Sequence, residues 1–385
     1  MMIDMTGRGK NRTYNTIGET YHTENLQYEL TPYQQLDYPL RPQRTVVQFN
    51  STYMELVDMW EFSRGEIIWS QLLILFAALF SLGAFSYALT LLYSQNGISV
   101  HFFLFIFLTL VSFAITYVLL RRLSRELFTY TYFPIRFNRK NGKVYVIGAD
   151  KKVETYDWKD LNIHMDADVN ALWDVRCCDV DDNGIIQRTF SLPFRYQRIH
   201  KVLYGHFEFV NRYMSAKKDS ELAEVASSIR HVFPIHQRKE TFKESVQRSL
   251  FEYHHDFNDM EYPENTLKLD WTFVINIPFW FLKLLGRRLS VLTSKMPRFP
   301  SDIEAQCQID PNDPFNLNKN PPVSGFIKPA TVLEKIFYMV MMLGATLVSL
   351  SVFALIIDII GAMRPHGDYP SFFKMLWDVL LLKRL

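Results

Sequence analysis

The chain has 385 residues, with 42 Lys plus Arg against 40 Asp plus Glu and a mean hydropathy of −0.05. So even a charge balance gives no case for nucleic acid or acidic substrates as partners. An apolar fraction of 48% is ordinary for a soluble protein and excludes a polytopic transporter.

Residues 1–45 are polar and rich in Thr, Tyr, Gln and Pro, without a clear period. Such a composition predicts an extended or disordered tail. Gly7-Arg8-Gly9-Lys10 superficially resembles a phosphate loop, but the Walker glycine spacing is missing and Asn11 follows the Lys. Within the juxtamembrane residues 46–66, Val46–Phe49 suits a strand. Ser51–Phe62 suits an amphipathic helix, with Met54, Val57 and Trp60 on one face.

Ile67–Tyr93 and Val100–Leu120 contain no Asp, Glu, Lys or Arg. A bilayer core about 30 Å thick needs roughly 20 apolar residues in a helix, and each run meets that. Ser94–Ser99 allows only a tight reversal, so residues 67–120 predict a transmembrane hairpin (67–93, 100–120). The turn carries no basic residue, whereas Arg121, Arg122 and Arg125 follow the second helix and Arg64 precedes the first. That bias predicts both ends in the cytoplasm. His101 falls at the far interface.

Residues 128–213 change character. Tyr130–Phe137 and Lys143–Gly148 flank Asn141-Gly142, which is a strong hairpin signal. Lys152–Tyr156, Asp160–Met165, Ala171–Val180 and Ile185–Leu192 predict further strands, and Arg195–Tyr213 a closing helix. The fold class is therefore that of an α+β membrane protein. Its cytoplasmic antiparallel meander, closed by one helix, is pleckstrin-homology-like in element order. Asp179, Asp181, Asn183 and Gly184 match the first half of a calcium loop, but Phe190 stands where the bidentate Glu belongs. A β-turn is the plainer reading.

Residues 215–265 are charged and helical in pattern: Asp219–Val232, ended by Pro234, then Gln237–Tyr253. His231, His236, His254 and His255 lack the regular spacing of a zinc site. Residues 268–292 hold Trp271–Leu285, too short at 15 residues to cross fully and flanked by Arg287 and Arg288, so a helix in the headgroup layer is expected, with a span kinked at Pro278 or burial in the soluble domain as the alternatives. Residues 296–330 are Pro- and Asp-rich, with Asp310 and Asp313 flanking Asn312 in a turn-rich surface segment. Ile336–Ile357, within residues 336–360, is a third uncharged run that ends at Asp358. Its Gly344, Ala345, Ser349 and Ala354 suit close helix packing. An amphipathic tail occupies 371–385.

Cys177, Cys178 and Cys307, an odd number with one adjacent pair, form no disulfide framework and fit a reducing compartment. The sequence offers no catalytic constellation, no metal set and no cofactor motif. The bilayer is the one partner it names directly.

Two motif groups add a resemblance. The first is Phe137-Asn138-Arg139-Lys140, Lys143-Val144-Tyr145 and Tyr156-Asp157-Trp158-Lys159-Asp160. The second is Pro297-Arg298-Phe299-Pro300, Ile303-Glu304-Ala305-Gln306-Cys307 and Asp310-Pro311-Asn312-Asp313-Pro314. Over most of Phe133–Pro322 the chain resembles a Gram-negative bacterial group of membrane proteins found beside type VI secretion effectors. The resemblance implies an inner-membrane immunity or accessory factor that acts by recognising a cognate secreted effector, without catalysis. A membrane-disrupting toxin is the alternative, and a membrane-linked enzyme or receptor is a weaker one. The resemblance carries over no catalytic residues.

Overall fold

The computed structural model describes residues 17–21, 28–124, 126–148, 150–167, 173–196, 201–250, 271–320, 331–362 and 371. In chain order the strands are β1 (Glu29–Leu30), β2 (Val46–Phe49), β3 (Tyr53–Leu56), β4 (Ile135–Asn138), β5 (Lys143–Ile147), β6 (Val153–Asp157), β7 (Asn162–Ala167), β8 (Trp173–Val180) and β9 (Ile186–Tyr196). The helices are α1 (Trp60–Ser63), α2 (Glu66–Asn96), α3 (Val100–Leu123), α4 (Lys201–Ser215), α5 (Asp219–Ser228), α6 (Phe242–Leu250), α7 (Trp271–Thr293), α8 (Ser301–Gln306) and α9 (Val332–Ala362). The chain divides into two compact units that alternate along it. A mixed unit takes Met1–Ser63, Phe128–Glu240 and Thr293–Ile327. A helical unit takes Arg64–Leu127, Thr241–Leu292 and Lys328–Leu385.

The mixed unit holds two antiparallel sheets, a five-stranded one ordered β2-β3-β4-β5-β6 and a four-stranded one ordered β1-β7-β8-β9. The Asn141-Gly142 hairpin forms as expected, joining β4 to β5 with Asn138 opposite Lys143 and Gly142 at φ 70°. Ser51–Phe62 is not an amphipathic helix. Its centre is β3, whose four residues are all buried between β2 and β4. Glu55 makes the segment look half polar, yet it lies inside and is neutralised by Arg136 on the neighbouring strand (2.8 Å). Arg195 and Tyr196 extend β9, and the closing helix starts at Lys201, so the expected helix began too early.

Part of the supposed N-terminal tail is also built into this unit. Thr20 bridges Ile185, and β1 pairs with β7. Asn211 of α4 accepts from Tyr33 N (2.7 Å) and donates to Gln34 O (2.7 Å), and Glu208 accepts from Leu36 N (2.9 Å). These side chains satisfy the backbone groups of an irregular segment and hold it on α4. Residues 1–16 and 22–27 lie outside the described residues.

In the helical unit, α2 and α3 are joined by the short break at Gly97, with Ser99 capping α3 through Phe102 N (3.4 Å). Both are long and apolar enough to cross a membrane. Their apolar side chains point largely outward: Phe76 and Phe80 are 74% and 73% exposed. Ile68, Leu75, Leu119, Leu123 and Leu127 form the small seam at the hairpin's charged end. The expected 15-residue segment is longer than its apolar run, since α7 has 23 residues and includes Pro278. Trp280 and Leu284 of α7 meet Val246 and Phe242 of α6 and Met342 of α9. Helix α9 has 31 residues and covers the third apolar run. The tail after residue 371 lies outside the described residues.

Candidate functional site

The two motif groups, about 160 residues apart, meet in the mixed unit. Asn138 Nδ2 donates to Gln306 O (2.8 Å) and Tyr145 Oη to Gln306 Oε1 (2.8 Å). Tyr53, Tyr145 and Ile147 share a buried cluster with Phe299, Ile303 and Cys307. Arg136 is the centre of this latch. Its guanidinium lies between the rings of Tyr53 (4.4 Å) and Phe299 (4.1 Å), with Glu55 at 2.8 Å and Glu304 at 3.2 Å. Tyr132 Oη donates to the other oxygen of Glu55 (2.7 Å), and burial pushes that phenol well above its ordinary range. Each residue here already has a partner, so the distinctive motifs are accounted for by packing.

The possible cation ligands are turn-formers. Asp181 Oδ1 accepts from Asn183 N and Ile185 N, both at 2.9 Å, and Oδ2 from Gln187 Nε2 at 2.8 Å. The Ile185 amide leads in holding its carboxyl below the ordinary value. Asp179 pairs with Arg188 through Nε (2.9 Å). Asp313 accepts from Ser51 N (2.6 Å) and Phe315 N (2.9 Å), and Asp310 from Asn312 N (2.9 Å). Among the described residues no three His, Cys, Asp or Glu side chains are grouped to hold a metal. His231 and His236 are held below their ordinary pKa, chiefly by burial. His254 and His255, like Gly7-Arg8-Gly9-Lys10, lie outside the described residues.

The four-stranded sheet has an unusual second face. Directly opposed residues share a face, and the register sets His164 against Arg176 and Arg176 against Ser191. Asp166 and Asp174 are the next pair along. All are buried, while Ile163, Val175, Cys177 and Phe190 take the apolar face. Arg176 Nε donates to Thr189 (2.9 Å), and its Nη1 lies 3.7 Å from Asp166. Tyr21 Oη comes within 3.2 Å of His164 Nδ1 from the N-terminal segment. Cys178 stays a thiol here, because burial raises its pKa. Nothing in this face pairs a nucleophile with an activated base.

Residues 112–311 match a family described as of unknown function, DUF6708, a stretch covering just over half of the chain. The chain belongs to the DUF6708 family. The matched stretch runs from within α3 to Pro311 in the second motif group, so it includes Arg136, Asn138, Tyr145, Phe299 and Gln306 of the latch but not Tyr53 or Glu55, together with β4 to β9. No curated protein and no solved structure matches the chain.

The remaining polar concentration is at the foot of the apolar helices, inside the helical unit. Gly65 caps α2 at φ 93°, a left-handed conformation suited to Gly. A Cβ on it would lie 2.4 Å from Arg287 N, and one on Gly286 would lie 2.4 Å from Gly65 O. Backbone therefore meets backbone where α7 crosses the start of α2. Around this crossing Lys283 Nζ reaches Glu66 (2.8 Å), and Arg64 Nη1 donates to Ser290 (2.6 Å). Gly65 N donates to Glu126 Oε1 (2.6 Å), and burial outweighs that bond in raising the pKa of Glu126. Arg64, Lys283 and Arg287 are all buried. Arg287 and Arg288 were expected to flank a helix in the headgroup layer, whereas Lys283 and Arg287 are turned inward. Their spacing of four, with Ser290 and Ser294 continuing the stripe, was the available signal.

Proposed function

We propose that the protein is an inner-membrane anchor carrying a recognition unit, which acts by binding another protein. One observation carries the reading: α2 and α3 hold no charge between Ile67 and Leu120 and turn bulky apolar side chains outward. In water that surface would be a large exposed apolar patch; in lipid it is the expected one. The connectivity agrees, because β3 and β4, which flank the hairpin in sequence, are hydrogen-bonded neighbours in one sheet. Both ends of the hairpin then lie on one side of the bilayer. Exposed Arg121 and Arg122 at the end of α3 favour the cytoplasm. Helix α9, with outward Val340 and Met341, supplies a third crossing. The pleckstrin-homology-like comparison belongs to this reading: a meander β2 to β6, then β7 to β9, then α4.

The role as immunity or accessory factor for a type VI effector rests on the motif resemblance alone. Its test is genetic and biochemical. The gene is deleted, and the strain is challenged by sister cells that deliver the neighbouring effector. Loss of viability, together with co-purification of effector and anchor from membranes, supports immunity. Full survival of the deleted strain refutes it. Release of the full chain from membranes by alkaline carbonate refutes the anchor itself.

A further inference from the structure

Helix α7 is amphipathic with its faces reversed. Its inward face holds Lys283, Gly286, Arg287 and Ser290, all buried, beside Trp280 and Leu284. The outward face holds Leu285, Leu289 and Leu292, which are 38%, 37% and 60% exposed, whereas Phe279 lies on the side of α2 against Trp69 (5.7 Å). Positions 285, 289 and 292 lie along one stripe of a helix. A water-facing helix would place Leu inside and Lys outside, so this stripe faces something apolar.

Connectivity decides how α7 meets the membrane. By length, 23 residues at 1.5 Å each would reach across a core of about 30 Å. The chain, however, leaves the mixed unit after Glu240 and rejoins it at Thr293. At the point of return Lys295 N donates to Thr129 O, and Thr131 N to Lys295 O, both at 2.8 Å. Before departure Phe233 N donates to Val46 O (3.0 Å), and Phe233 and Ile235 sit in the cluster of Val47, Val57 and Tyr132. Departure and return are thus fixed in one folded unit, on one side of the bilayer. A single crossing by α7 would need a second crossing within residues 241–270. That stretch holds Lys243, Glu244, Arg248, Glu252, Asp256, Asp259, Glu261, Glu264, Lys268 and Asp270, which rules it out as a span.

We propose that α7 lies side-on in the leaflet at the foot of α2, with Leu285, Leu289 and Leu292 against acyl chains and Lys283 and Arg287 turned to α2. The proposal rests on the membrane reading of α2 and α3. The partner is the lipid bilayer, and the close crossing of Gly65 and Gly286 holds the helix at that level.

The test uses the full chain in vesicles of phosphatidylethanolamine and phosphatidylglycerol. Single cysteines replace residues 285, 289 and 292, with Phe80 and Phe107 as hairpin controls and exposed Arg298 as the aqueous control. The native cysteines are buried, so label is added to folded protein, and the parent chain checks that they stay unlabelled. Collisional accessibility of an attached nitroxide to oxygen and to a water-soluble nickel complex then gives depth. Positions 285, 289 and 292 should all favour oxygen, at one similar shallow depth. Two results overturn the proposal while leaving the anchor intact: water accessibility at 285, 289 and 292 with lipid values at 80 and 107, or a profile that passes the midplane as a crossing helix must. Water accessibility at 80 and 107 as well overturns the membrane reading itself. A variant that misfolds is recognised by label entering the native cysteines. Leu289→Trp in the otherwise native chain then serves as a second arm, and quenching of its added fluorescence by brominated lipid must be seen.

Discussion

The contact between Gly65 and Gly286 invites a paired substitution. In Gly65→Ala the new Cβ falls 2.4 Å from Arg287 N and 2.5 Å from Lys283 O, both backbone atoms that cannot rotate away. An L-residue at φ 93° adds roughly 1–2 kcal/mol of conformational cost. Forcing the helices apart adds about 1–3 kcal/mol, as other overpacked contacts do. It also stretches the bonds from Gly65 N to Glu126 and from Arg64 to Ser290. The expected loss is therefore ~2–5 kcal/mol, on the order of 10 °C in melting midpoint. Gly286→Ala separates the terms. Residue 286 is inside α7, so it carries no left-handed cost, and Ala gains up to ~1 kcal/mol of helix propensity. Its Cβ still meets Gly65 O at 2.4 Å. The order of stability should be parent, then Gly286→Ala, then Gly65→Ala, read by thermal unfolding of detergent-solubilised full chain. Midpoints for both variants equal to the parent's would refute the close crossing. Gly286→Ala falling further than Gly65→Ala would refute the conformational part.

Three further outcomes follow from the mixed unit. Glu55→Ala leaves the buried Arg136 guanidinium with Glu304 as its remaining carboxylate and the Tyr132 hydroxyl without its acceptor, and should cost about 1–3 kcal/mol in denaturant unfolding, while joint replacement of Glu55 and Arg136 by Met should recover much of that. His206 is fully buried, donates through Nδ1 to Arg41 O (2.8 Å), and burial depresses its pKa from 6.5 to about 4. The unfolded chain therefore binds the proton first, so the His206 contribution is complete above pH 6.5 and is lost as pH falls towards 4. That is ~3 kcal/mol over the window, and His206→Phe should flatten the profile correspondingly. Calcium should leave the unfolding midpoint unchanged, because the carboxylate oxygens of Asp181 are taken by Asn183, Ile185 and Gln187.

What could be read from the sequence was what is decided locally. Absence of charge over Ile67–Tyr93 and Val100–Leu120 is visible residue by residue, and so is the Asn141-Gly142 turn. Strand β3 was missed because Glu55 reads as a solvated position until Arg136, 81 residues later, is placed beside it. The N-terminal segment was missed because its order comes from Glu208 and Asn211 of α4, which complete backbone hydrogen bonds that the segment cannot make alone. The length of α7 was missed because Lys283 and Arg287 look like a terminus, and only the foot of α2 gives them an interior to occupy. The motifs at Asn138 and Gln306 were legible as distinctive, yet their role as a latch required both segments in space.

The adjacency of β3 and β4 also bears on how the molecule is assembled. The strands are separated by residues 57–134, and an unstructured loop of that length costs about 4 kcal/mol in closure entropy. Here the intervening chain is mostly a hairpin whose two arms run side by side, so it brings Leu56 and Ile135 towards each other before either strand pairs. Emerging from the ribosome, α2 and α3 precede every residue of β4. The hairpin thus takes part in forming the five-stranded sheet, as the clamp that keeps its two halves in reach.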